Sequence, residues 1–145
     1  MADWAGIKAA IATRCATVSG IKHASSTNID SAPVTPAVIV THVGDMEVIR
    51  GIGFEERNAE VAGVLLVSTS EGTGSAMSRS DGLLENLFVE FRNGTLLGYP
   101  TVVQDAWLSG ATADVIEVGT IKYEGYRLRW QVHTREGVTR TADRV

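Results

Sequence analysis

Residues 126–135 read Tyr-Arg-Leu-Arg-Trp-Gln-Val-His-Thr-Arg, and no other stretch of the chain alternates so strictly. Tyr126, Leu128, Trp130 and Val132 fall on one side of an extended strand. Arg127, Arg129, Gln131, His133 and Arg135 fall on the other. A period of two with bulky apolar groups on a single side demands a sheet with one face covered and one face polar. Something must supply the cover. The remaining sequence is therefore searched for amphipathic helices and for further strands.

The first candidate helix is at the start. Trp4, Ile7, Ile11, Cys15 and Val18 recur at spacings of three and four, one helical face. Asp3 is placed to accept from the free N–H groups of the first turn, and Ser19-Gly20 supplies a stop. Residues 21–36 contain the turn-forming Ser25-Ser26-Thr27-Asn28 together with Pro33 and Pro36, and read as irregular or briefly extended. Ala37–Val43 is β-branched and bounded by Pro36 and Gly44, a buried strand. Met46–Arg50 is a shorter one. Glu55–Thr69 is long, and its segment Val61–Val67 is apolar on both faces.

Glu71-Gly72-Thr73-Gly74 breaks the chain before a second helix with Met77, Leu84, Leu87, Phe88 and Phe91 on one side, which Asn93-Gly94 ends. Two strands follow, Val102–Leu108 and Ala113–Val118. Ile121–Tyr123 and Tyr126–Thr134 then flank Glu124-Gly125, read as a hairpin turn. The order helix, strands, helix, strands predicts the α+β class: a mostly antiparallel β-sheet with two α-helices packed against it. The 145 residues suit a single domain, placed at 1–135, with 136–145 read as a flexible C-terminal tail.

A lone cysteine rules out an intramolecular disulfide framework or a cysteine-based zinc ribbon. Apolar runs reach four residues, as at Val64–Val67, whereas a membrane-spanning helix needs about twenty. No basic segment followed by an apolar stretch opens the chain, so a cytosol-like compartment is expected. The net charge of −4 argues against a free nucleic-acid binder. Charge is unevenly placed: residues 1–44 carry a net +1, 45–117 a net −8 and 118–145 a net +3.

Tests for chemistry fail one after another. His23, His42 and His133 lack a metal-ligand partner at short spacing. Gly72-Thr73-Gly74 has Met77 where a dinucleotide loop needs Gly or Ala, and Gly51-Ile52-Gly53 has Glu56 there. Neither a phosphate loop nor a nucleophile elbow is present. Cys15 lies on an apolar helix face and reads as a buried structural thiol. Asn93-Gly94-Thr95 matches a glycosylation sequon, but its use as a helix stop accounts for it. Catalytic residues, cofactor sites and metal sites are therefore expected to be absent, and the chain is read as a non-enzyme.

The polar side of the last strand is the most informative surface. Taken singly, each cation is accounted for by a solvated sheet face. As a row, Arg127, Arg129 and Arg135 can bind phosphate or meet an acidic neighbour. No aromatic is interleaved on that side to stack bases, so a subunit contact is favoured. Glu55, Glu56 and Glu60, from the acidic middle, are the complementary candidates, although their neighbour Arg57 also suits them to a salt-bridged surface.

The order of elements resembles the tail terminator proteins of long-tailed bacteriophages, particularly those of actinobacterial hosts. The resemblance is carried by the opening Ala2-Asp3-Trp4-Ala5-Gly6-Ile7-Lys8-Ala9-Ala10-Ile11, by Gly20-Ile21, and by Pro36-Ala37-Val38-Ile39-Val40. It continues through Val61–Ser68, Leu83-Leu84-Glu85-Asn86-Leu87 and the closing Ile121–His133. It spans residues 2–134, and it departs from the pattern in a longer Tyr99–Val118 segment and an extra tail. The resemblance implies a structural virion protein, assembled in the host cytoplasm and placed at the head–tail junction. It implies a ring of identical subunits, six-fold, that caps the tail tube and joins a head connector or stopper protein. It also implies that genomic DNA passes through the lumen without sequence-specific binding. The turns at Ser25–Asn28 and Gly51–Gly53 are then candidates for docking tube or connector. A head completion (stopper) protein and a tail tube protein are rival readings in the same class. A small cytosolic α+β enzyme or ligand-binding domain is the rival from another class.

Overall fold

The computed structural model describes residues 3–27, 33–69, 75–92 and 103–137. Helix α1 (Trp4–Ala16) begins where Asp3 Oδ1 accepts the Gly6 N–H at 3.1 Å, a cap worth about 1 kcal/mol. Its spacing-four residues Ile7, Ile11 and Cys15 are fully buried. Gly20 follows at φ 97°, a conformation that suits glycine at a helix exit. Strand β1 (His23–Ser25) then pairs parallel with the start of β2 (Ala37–Gly51). The remaining elements are β3 (Phe54–Thr69), α2 (Ser75–Glu90), β4 (Val103–Val118) and β5 (Ile121–Gly137).

The fold is α+β. The five strands form one sheet in the order β1-β2-β3-β5-β4, antiparallel at every pairing except β1 with β2. Both helices cover the same face. Ile7, Ile11 and Cys15 of α1, together with Leu87 and Phe91 of α2 and its exit, enter one core with Val38, Val40, Val61, Leu65, Leu128 and Trp130. Phe91 meets Trp130 edge-to-face with ring centroids 5.9 Å apart, a favourable aromatic geometry. Trp130 fits because β3 carries Gly63 beneath it: a Cβ there would lie 2.7 Å from the indole and from the Ile39 carbonyl. The two helices are tied by Arg14, a largely buried cation that meets Glu90 at 3.4 Å and lies over the Phe91 ring.

On the opposite face, Ala37, Ile39, Val64, Leu66, Ile116 and Tyr123 form a second, smaller cluster. This explains why β3 is apolar on both sides in its middle. The alternation in β5 is also as the sequence requires, with Tyr126, Leu128, Trp130 and Val132 all buried.

Four expectations need correction. Ala37–Val43 and Met46–Arg50 are one strand, because Gly44 is absorbed by a register shift between Val43 and Met46 rather than ending the pairing. Val102–Leu108 and Ala113–Val118 are likewise one strand from Val103, with shifts at Val103/Asp105 and Leu108/Gly110. The hairpin turn is at Gly119-Thr120, where Gly119 takes φ 63°. Glu124-Gly125 lies inside β5, and Gly125 is needed there because a Cβ would meet the Leu65 carbonyl oxygen at 1.9 Å. Finally, Glu136 and Gly137 belong to β5, so the ordered part runs past residue 135. The rest of the expected tail, the break at 71–74, Asn28 and Asn93-Gly94 lie outside the described residues.

Candidate functional site

The face of the sheet away from the helices carries the polar side of β5. Register fixes its rungs: Arg127 opposite Val64, Arg129 opposite Ala62, Gln131 opposite Glu60, His133 opposite Asn58 and Arg135 opposite Glu56. Strand alternation places Glu56 and Glu60 on this face with the arginines, and Glu55 on the other. The six charged residues singled out from the sequence therefore do not form one acidic set against one basic set.

Most of them are paired within the chain. Arg127 Nε donates to Asp114 Oδ2 at 2.7 Å across the β4–β5 ladder. That bond, and a second from the Val115 N–H at 2.8 Å, hold the Asp114 carboxyl below the usual carboxylate range. Arg135 meets Glu56 at 3.5 Å and stacks 4.2 Å over the Phe54 ring, while His133 Nε2 lies 3.4 Å from the same Glu56. On the opposite face, Arg57 donates to Glu55 through Nε at 3.0 Å and Nη2 at 2.5 Å, and Arg50 approaches it at 4.0 Å.

Two of the six differ. Among the described residues, neither Arg129 nor Glu60 has an ion-pair partner. Arg129 Nη1 donates only to Thr112 Oγ1, at 3.3 Å, and its guanidinium occupies the space a side chain at Gly110 would fill. Beside it is an open hollow of about 470 Å³, floored by Ala62 and Val64 and rimmed by His42, Glu60, Arg127 and Arg129. The Thr41 hydroxyl donates to the Ala62 carbonyl at 3.0 Å, so its oxygen accepts from His42 Nδ1, also at 3.0 Å. Glu60 also borders a second hollow of about 400 Å³, with Asp45 and Glu47. A cationic depression and an acidic one thus lie side by side on one face.

A further feature was not anticipated. Beyond Val43, which still packs on the helical core, the β2 strand leaves that layer, and from Asp45 to Arg50 every residue is exposed. With β3 and the end of β5, which pairs with β3 as far as Gly137, it makes a three-stranded extension of the sheet whose outer strand presents Met46, Val48 and Ile49 at about two-fifths exposure, with Ile52, in the β2–β3 turn, at 99 %. Its outer edge is open as well: β1 pairs with Ala37–Ile39 only, and no described strand pairs with that edge of β2 beyond Ile39. The readable signal was the loss of apolar alternation after Val43, where charges and aliphatics follow one another without a buried side.

Cys15 is fully buried, and burial, aided by the nearby Glu90 charge, pushes its thiol well above the ordinary value. It is held as the unreactive thiol. Among the described residues, no group of three or more His, Cys, Asp or Glu is placed to hold a metal ion, and no helix is long and apolar enough to cross a membrane. This surface thus combines exposed apolar groups and an open strand edge on β2 with a neighbouring face on which Arg129 and Glu60 carry charge without an ion-pair partner among the described residues. Compared with protein-family models and with curated proteins, the sequence matches none.

Proposed function

We propose that this chain is a structural subunit of the head–tail junction of a long-tailed bacteriophage, the tail terminator. In this reading copies of it form a ring that caps the tail tube and meets the head connector. The observation that carries the proposal is the far end of β2, exposed from Asp45 to Arg50 and leading to Ile52 in the β2–β3 turn. Exposed apolar groups along an outer strand are what a subunit needs to be covered by a neighbour. The resemblance in element order, from the opening helix to the amphipathic last strand, supplies the assignment to phage tails.

A ring closes through heterologous contacts, in which two different patches of each subunit meet. The cationic depression at Arg129 and the acidic one at Asp45, Glu47 and Glu60 are two such patches. Arg129 and Glu60 are the members of the predicted interface still available for a neighbour. The tip at Gly51–Gly53 docks the tube or the connector. DNA passing through the lumen needs no sequence-specific site, and the chain acts without a cofactor and without catalysis.

Native mass spectrometry with negative-stain imaging tests the reading. Closed rings of one size support it. Open-ended tubes assign the chain to the tail tube. A monomer stabilised against heat by nucleotides or small anions transfers the Arg129 hollow to ligand binding.

A further inference from the structure

We infer that the open face of the sheet binds a nucleoside phosphate over the β4–β5 ladder, with the base stacked on Trp107 and the phosphate held by Arg129. This goes beyond the ring reading, which draws on the β3 side of Arg129, where the hollow lies. The guanidinium itself leans the other way, over Gly110 of β4.

Arg129 is a cation built into place without an acid. Ser109 falls at the register shift between Leu108 and Gly110, and its hydroxyl donates to the Arg129 carbonyl at 3.0 Å. Bulges of this kind re-aim side chains. Gly110 then leaves the space that the guanidinium fills, since a Cβ there would lie 3.0 Å from Cζ. Nη1 donates to Thr112 Oγ1 at 3.3 Å and holds the group from one side. Among the described residues it meets no carboxylate, and Asp114, two residues beyond Thr112, is already paired with Arg127. Its other N–H donors stay open, in a fork that matches two phosphate oxygens.

The polar side of β5 carries no aromatic of its own, but register brings one from β4. Trp107 stands opposite Gln131, so it shares the face of Arg129, on the neighbouring rung. Ala106 and Leu108 on either side of it are buried in the helical core, while Trp107 is 40 % exposed. Diagonal neighbours across a ladder lie about 7–8 Å apart between Cα atoms, a gap that a nucleotide bridges from base to phosphate. An open indole stacks on the face of any base, and Gln131 beside it offers an amide to the base edge. The unpaired Glu60 stands across Gln131 on β3, away from the guanidinium. A carboxylate or inorganic phosphate fits the guanidinium alone and leaves the indole uncovered. A long polyanion needs a basic surface, whereas this chain has a net charge of −4. A free nucleotide is therefore the expected source, and a single strand is the source the test sets apart.

The test uses the full chain at low salt, titrated with deoxyadenosine monophosphate, inorganic phosphate and a short oligo(dA) strand. Calorimetry is expected to give half-saturation by the nucleotide below about 1 mM, and binding of inorganic phosphate roughly tenfold weaker. Trp107→Ala and Arg129→Gln are each expected to weaken nucleotide binding roughly tenfold or more, with thermal midpoints unchanged. Trp107→Phe is expected to keep most of the affinity while losing the quenching of tryptophan fluorescence, because Trp130 is fully buried. No nucleotide binding at about 10 mM overturns the inference, as does a Trp107→Ala or Arg129→Gln protein that binds like the parent. Inorganic phosphate bound as tightly as the nucleotide also overturns it. Oligo(dA) bound more tightly than the mononucleotide, with the same dependence on both residues, upholds the site and assigns it to single strands. Equal affinity upholds it and assigns it to the free nucleotide. Rings that close but bind no nucleotide remove this site and leave the ring reading. Nucleotide bound by a chain that never forms rings upholds this site and removes the ring reading.

Discussion

Gly125→Ala is the substitution that most directly tests how the last strand is built. Were Glu124-Gly125 a hairpin turn at the surface, an added methyl would cost only the strain of a left-handed backbone, about 1 kcal/mol. In the observed sheet the methyl carbon lands 1.9 Å from the Leu65 carbonyl oxygen, 3.0 Å from its carbon and 3.3 Å from Leu66 Cα. All three are backbone atoms of β3, so no side chain can swing aside. Relief requires moving β5 away from β3 by more than 1 Å at a point where Tyr126 and Leu65 are both buried. Overpacking of this kind costs about 1–3 kcal/mol even when side chains can give, and here the upper end or beyond is expected. For a domain of this size, about 3 kcal/mol lowers the thermal midpoint by roughly 10 °C. Gly119→Ala is the control: φ is 63°, yet nothing lies within 4 Å, so only the left-handed backbone is strained, at about 1 kcal/mol. Circular dichroism melts and urea titrations of both variants measure the difference. Equal losses, or a larger loss at Gly119, would refute the placement of the turn and with it the β3–β5 register.

Trp130→Ala removes the largest fully buried side chain and its contact with Phe91, and a loss of about 3–5 kcal/mol in urea unfolding is expected. Arg127→Gln should raise the Asp114 carboxyl toward its ordinary value, read by NMR titration. Because the parent carboxyl is depressed, its contribution to stability is full above the unfolded carboxylate pKa and fades as pH falls through the folded value, so the variant should lose less stability on acidification. Charge reversal at both Arg127 and Arg129 is expected to impair ring closure in negative stain, and unchanged assembly would count against that face as a ring contact.

The parts of the fold readable from sequence are those governed by local periodicity. One-sided burial of β5 leaves a period of two, and α1 leaves spacings of three and four with Asp3 at its start. The errors share a cause. Gly44, Gly110 and Gly125 look alike in a sequence, but each is placed by the strand beside it. Gly110 makes room for the Arg129 guanidinium, and Gly125 for the backbone of β3. Those neighbours come from distant parts of the chain, so no local pattern announces them. The same holds for charge. That Arg135 belongs with Glu56, and Arg127 with Asp114, follows from register alone. What composition could indicate was an acidic middle and a basic end, and register spends most of that complementarity inside the subunit.

The position of β5 has a consequence for how the chain acquires its shape. The last described strand to be synthesised is not an edge strand: it sits between β3 and β4. Until it emerges, β3 has only β2 beside it, and the apolar run Val61–Val67 remains without a neighbour on its other edge. Pairings between residues as far apart as Phe54 and Gly137 close large loops and are slow to form. A nascent chain halted before Ile121 therefore holds a sticky hairpin rather than a smaller version of the fold. The cell making this protein has to keep that hairpin from finding another copy until the final strand arrives to claim it.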